Sequence, residues 1–476
     1  MKRFEKYIAS VVAVLGLSAS LVQADYIRER APTASSTQVV AAFSKADFVR
    51  KLQQVLQLGN VADALKLYDD VPADYASDLD LCLLKASLLI SSNKLAEAKA
   101  ICEKLNKQEP GNEDVVEMLA YIARLQGNAA EQTKQLKTLL EKDQYNVRAN
   151  IGMADSAFDK KNYNLARQYY QRALVREPEN EDALFGLGQS DYFLGSRNPS
   201  MDKEAEASFK KILEKNPAHA PAYAYLAKLA SANSKYKIAS DYVQKAISYD
   251  GENYNYVLDY GMYECKMGHF DIAEREWTKA ISMQPTYFLA YAYRGGLYDE
   301  QDMISKALDD YMRVIKYNPD YYYAYESIGV LALHEKQWAR ARAAFQKCSE
   351  FDKGKNISYP LMITYCYYME GNKIEAKKYS DKVLRKMDRS TIEYAMLRMW
   401  HDQAGEMPLP QKIAALDNGN KKGKMYFYLG LYYDMFGGKE FAMENYAKVL
   451  GLNSPMIFEY RLAEWSLKPE SGVSKN

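Results

Sequence analysis

Small apolar residues return along this chain at one constant interval. The alanines of DIAEREW, KALDDY and ARAAFQ (Ala273, Ala307 and Ala341) stand 34 residues apart, as do Pro285 and Pro319. A period of this length marks a chain built from one stacked supersecondary unit. Extending the frame gives units that start near 45, 79, 113, 147, 181, 220, 254, 288, 322, 357, 391 and 423. The unit from 181 is 39 long because SRNPS (196–200) is inserted between its two helices, and the unit from 322 is 35 long.

Each column of the frame has a physical reading. Position 20 holds Ala64, Ala98, Ala166, Ala205, Ala239, Ala273, Ala307, Ala341, Ala376 and Ala442, with Gln132 and Pro410 departing. Position 8 is small, as in Ala86, Gly188, Gly261, Gly329 and Gly430, which lets two helices approach closely. Position 15 is often glycine (Gly59, Gly127, Gly195, Gly268, Gly371, Gly405 and Gly437), suited to the left-handed turn that ends a helix. Position 24 is large (Tyr170, Phe209, Trp277, Phe345, Tyr446), and proline at position 32 stops the second helix. Each unit is therefore two antiparallel helices joined by a tight turn, and only stacking can bury their apolar faces.

These columns resemble the tetratricopeptide repeat family over about residues 45–456. The resemblance implies an all-α fold, a right-handed α-solenoid of stacked helix-turn-helix units. The expected organisation is N-terminal units over 45–219, central units over 220–390, a degenerate unit at 391–422, and a C-terminal unit at 423–456. In the degenerate unit Pro408 and Pro410 would break the second helix. The stretch PMIFEYRLAEWSL (455–467) reads as a terminal helix over the exposed apolar end, within a cap and tail at 457–476.

The run YNPDYYYAYESIG (317–329) shows what the tyrosines do in this frame. Tyr325 at position 4, with Tyr223, Tyr291, Tyr394 and Tyr426, belongs to an inter-helix packing column. Tyr323 sits at position 2. In the resembling family, positions 2, 5, 9 and 12 of the first helix line the concave surface. Those columns here include Phe185, Tyr192, Tyr323, Val330, Leu333, Leu361, Tyr365, Tyr368, Phe427 and Leu431, beside charged Asp155, Lys228, Glu326 and Asp434. An exposed apolar strip of this kind marks an interaction site, with Tyr323, Tyr365, Tyr368 and Phe427 as the expected anchors for a peptide or helical segment of another protein. The family's carboxylate clamp needs lysine at position 5 and asparagine at position 9, and no unit here has either.

The ends and the composition narrow the function. Lys2, Arg3 and Lys6 precede an apolar run from Ile8 to Val22, and Val22-Gln23-Ala24 offers small residues at a cleavage site. This is the layout of a secretory signal over 1–24, followed by a polar linker at 25–44, and it predicts an exported, periplasmic or envelope-associated protein without stable membrane insertion. Lys+Arg 63 against Asp+Glu 62 leaves no basic field for nucleic acid. HExxH, GxxxxGK[ST] and GxSxG motifs are absent, and His219, His269, His334 and His401 lie in separate units. The expectation is a non-enzymatic scaffold with no cofactor or metal that binds other proteins. A self-assembling envelope protein and an accessory subunit of a polysaccharide or protein export system are the alternatives. The five cysteines match no zinc or CxxC pattern, and their default role is burial. In an oxidising compartment a Cys82–Cys102 disulfide could join the two helices of one unit.

Overall fold

The computed structural model describes residues 43–57, 61–195, 198–404 and 408–468. The expected signal peptide, linker residues 25–42, the tail from 469, Gly59 and Gly405 lie outside the described residues. The described residues form two compact units that part between Asn233 and Ser234, inside the repeat that starts at 220. All their regular structure is helical.

The first unit opens with α1 (Lys45–Gln57), α2 (Val61–Lys66) and two short 3-10 turns. It continues as the hairpins α3 (Leu79–Ser91) with α4 (Leu95–Gln108), α5 (Glu113–Leu125) with α6 (Ala129–Lys142), and α7 (Val147–Asp159) with α8 (Tyr163–Arg176). The hairpin α9 (Glu181–Gly195) with α10 (Ser200–Lys215) and the single helix α11 (Ala220–Ala232) complete it.

The second unit starts with α12 (Tyr236–Tyr249) and runs through α13 (Tyr254–Lys266) with α14 (Phe270–Met283), α15 (Phe288–Glu300) with α16 (Ile304–Tyr317), and α17 (Tyr322–His334) with α18 (Trp338–Phe351). Then come α19 (Ser358–Met369) with α20 (Lys373–Leu384), α21 (Ile392–Asp402) with α22 (Leu409–Ala414), α23 (Gly419–Phe436) with α24 (Lys439–Gly451), and α25 (Phe458–Leu467).

Local chemistry sets the helix ends. Asparagine side chains cap many first turns: Asn146 accepts from the Ala149 amide at 2.8 Å and Asn180 from that of Ala183 at 3.0 Å. The corner at position 15 is left-handed whichever residue fills it, at φ +69° for Gly127 and +59° for Lys161. The Asn128 and Asn162 amides reach back to the Ala123 and Ala157 carbonyls at 2.8 and 2.9 Å, a closure that demands this conformation. Gly195 departs from the expectation. It is the last helical residue of α9.

The small column at position 8 has a more specific cause than close backbones. A Cβ on Gly329 would stand 2.7 Å from the ring of Phe345, and one on Gly188 2.7 Å from Phe209. The position-24 ring of the second helix lies on the bare backbone of the first. The alanines of position 20 are fully buried beside it.

The repeat from 391 is shortened rather than broken internally. Pro408 stands at the N-cap of α22 and Pro410 in its first turn, where the missing amide costs no helical bond. The helix is only six residues long. Its Leu409 and Ile413 are buried in the same cluster as Trp400 of α21.

Candidate functional site

In the first unit a ribbon of touching aromatic rings runs across three successive repeats. Phe158 at the end of α7 meets Tyr163 at 5.3 Å and Phe193 at 5.7 Å, both edge to face. Tyr163 and Phe193 stack at 4.8 Å and 12°. Tyr192 joins Phe193 at 5.3 Å and Tyr225 of α11 at 5.4 Å, and Phe185 meets Tyr225 at 5.7 Å. Phe209, fully buried, stacks beneath Tyr225 at 5.1 Å and forms the floor. The other rings are half-buried, and Phe193 is 40% exposed.

Polar groups hold this ribbon in place. Gln189 Nε2 donates to the Tyr225 hydroxyl at 3.0 Å, and Lys228 Nζ lies 5.3 Å from the Tyr225 ring centre. Burial pushes the Tyr225 phenol above its ordinary value, so it stays neutral. On the same stretch, burial and the neighbouring Asp155 raise the carboxyl of Asp182. Ring faces with one cation nearby bind by contact area and quadrupole geometry, not by proton transfer.

Tetratricopeptide repeat family models match residues 55–122, 151–192 and 298–350. These three stretches carry tetratricopeptide repeats. Tetratricopeptide repeat protein 6 of Homo sapiens is 28% identical over 188 residues, which is 39% of this chain and 35% of that protein. The chain thus spans about a third of the length of this curated relative. Among solved structures, a tetratricopeptide repeat protein from Parabacteroides merdae is 19% identical at a TM-score of 0.41, covering 53% of this chain and 97% of that one. YrrB, described as a TPR protein with an unusual peptide-binding site, is 22% identical at 0.33, covering 42% and 97%.

Within the tetratricopeptide frame, the ten apolar groove residues expected from the sequence separate. Phe185 and Tyr192 fall in the ribbon just described. Tyr323 stays open at 71% exposure, with Tyr321 and Tyr322 at 5.9 and 5.7 Å. The expected open apolar strip further on is corrected by the structure. Val330, Leu333, Leu361, Tyr368, Phe427 and Leu431 are buried in one shared cluster, with Tyr365 packed against it. Two groove columns have closed on each other because α23 runs beside α19. Tyr428 OH donates to the Ser358 carbonyl at 3.3 Å, Lys424 Nζ to Asn356 Oδ1 at 3.1 Å, and the rings of Tyr368 and Phe436 meet at 5.7 Å.

The ribbon also takes in Phe158, at groove position 12 of its repeat, and Tyr225, Phe193 and Tyr163, which the frame missed. Tyr225, Phe193 and Tyr163 sit at positions 6, 13 and 17, off the four groove columns, and only aromatic density around the insert signalled them.

The expected Cys82–Cys102 bond is absent, and all five cysteines are free thiols. Cys82 donates to the Ala76 carbonyl at 3.4 Å instead, while Cys102 lies fully buried. The histidines serve local structure. His219 caps α11 by accepting from the Ala222 amide at 3.0 Å, and His269 lies 2.7 Å from Glu264. No helix among the described residues is long and apolar enough to cross a membrane.

Proposed function

We propose that this protein is an exported, non-catalytic scaffold that holds segments of envelope or secretion partners on the aromatic ribbon of its first unit. The observation that carries the reading is the continuous contact of Phe158, Tyr163, Phe193, Tyr192, Tyr225 and Phe185 across three repeats. Magnitudes favour an extended ligand. Burying one large apolar side chain yields about 1.5–3 kcal/mol, whereas association costs about 4–15 kcal/mol. Several rings must act on one ligand, and a polypeptide segment meets several where a small metabolite meets one. Export is supported by Lys2, Arg3 and Lys6 ahead of the apolar run Ile8–Val22.

The test is photo-crosslinking in cells with the probe at Phe193, at Tyr323 and at the exposed control Val175, followed by mass spectrometry of the adducts. Adducts from Phe193 but not Val175 identify the client and support the scaffold. Adducts from Val175 alone, or only to a second copy of the chain, overturn it in favour of self-assembly.

A further inference from the structure

A terminal helix that merely covers the end of a stack touches the last repeat. Helix α25 does more, all of it within the second unit. It packs on α23 and α24, and also touches residues of three repeats that stand about a hundred positions or more before it in the chain. The Phe458 ring stacks on Phe345 at 5.8 Å and on Tyr359 at 6.4 Å. Glu459 Oε1 accepts from the hydroxyls of Ser358 and Tyr428. The Arg461 guanidinium pairs with the Asp299 carboxylate, and donates to the Asp299 carbonyl at 2.8 Å and Asp302 Oδ1 at 3.0 Å. Trp465 carries Arg461 on one side, 4.3 Å from the ring centre, and His334 at 4.5 Å. Asp299 and Ser358 occupy positions 12 and 2 of their repeats, which are groove columns, and His334 follows directly at position 13.

The chemistry of this contact is that of recognition. An apolar helix would cover the same surface at least as well, because burying a charge on α25 costs solvation that its pairing only offsets. Charges and hydroxyls at set places instead select which helix can sit there. We propose that the face formed by α15, α17 and α19 is a helix-binding site, and that α25 is its resident, exchangeable occupant. The partner it fits is an amphipathic helix of another protein with the same order: an aromatic residue, then glutamate, arginine two residues later and tryptophan four beyond. This rests on the scaffold reading but places a second binding face apart from the aromatic ribbon.

The test uses the full chain and a fluorescent synthetic peptide of residues 455–468 as the probe. In wild type, excess peptide should raise hydrogen exchange across the chain's own 458–467 by displacing it. Arg461→Asp in the chain should strengthen peptide binding about tenfold, the weight of one lost internal contact. Adding Asp299→Arg to that variant should abolish binding, and a peptide carrying the same Arg461→Asp change should restore it. Trp465→Ala provides a second way to loosen the helix if the charge variant loses helicity. Unchanged exchange in 458–467 with saturating peptide, or peptide binding indifferent to Asp299→Arg, overturns the proposal. Dimers in light scattering that vanish with Arg461→Asp would also overturn it, because the occupant would then be a second copy of the chain. None of these readouts depends on crosslinks at Phe193, so failure here is separable from failure of the ribbon.

Discussion

Arg461 donates to the backbone carbonyl of Asp299 at 2.8 Å across 162 residues of chain. Both side chains are mostly shielded, at 29% and 15% exposure. Removing one partner strands the other, which costs about 1–3 kcal/mol. Arg461→Ala should lower the stability of the second unit by that order. Combined with Asp299→Asn the loss should be smaller than the sum, as urea unfolding in a double-mutant cycle would read.

Glu459 makes the same helix sensitive to pH. It is fully buried, and burial pushes its carboxyl above the ordinary 4.5, although the nearby Lys424 ammonium and the Ser358 and Tyr428 hydroxyls pull it down. A carboxyl raised in the folded state binds its proton more tightly there than in the unfolded chain. Its contribution is therefore complete below 4.5 and is lost as pH rises through the folded value. Hydrogen exchange over 458–467 should quicken with rising pH beyond the intrinsic rate. Glu459→Gln should flatten that dependence while keeping an oxygen for both hydroxyls.

Two glycines of one scaffold should respond differently. A methyl on Gly329 would meet the Phe345 ring at 2.7 Å, and overpacking of this kind costs about 1–3 kcal/mol. Gly371, at φ +77°, has nothing within 4 Å of its Cβ direction. Asn93 and Lys161 occupy the equivalent corner elsewhere. Gly329→Ala should lower the melting temperature clearly and Gly371→Asn hardly at all.

Burial pushes the Cys102 thiol up to about 12. Titration of the folded protein with a thiol reagent near neutral pH should leave Cys102 unreacted until denaturant is added. Cys82, only half-buried, should react sooner. A mass spectrum of unreduced protein should show no linked pair.

The repeat frame was legible because identical local problems have identical solutions. Alanine at position 20 and a ring at position 24 answer contacts within one hairpin, so Ala341, Phe345 and Gly329 announce each other from sequence alone. The groove was only half legible. Phe185, Tyr192 and Tyr323 remain partly or largely open. Leu361 and Phe427 stand in the same columns and are buried. The column tells which way a side chain leaves its helix, but another helix can still lie over it.

The sequence by itself determined the helix pairs, their corners and their small-on-large contacts, because these interactions are local and repeat every 34 residues. Only the tertiary structure decided which apolar columns remain open and where α25 lies. Those outcomes hang on pairings between distant segments, such as Arg461 with Asp299, 162 residues apart. Contacts between distant segments depend on the summed geometry of every turn between them, and no periodic pattern encodes that sum.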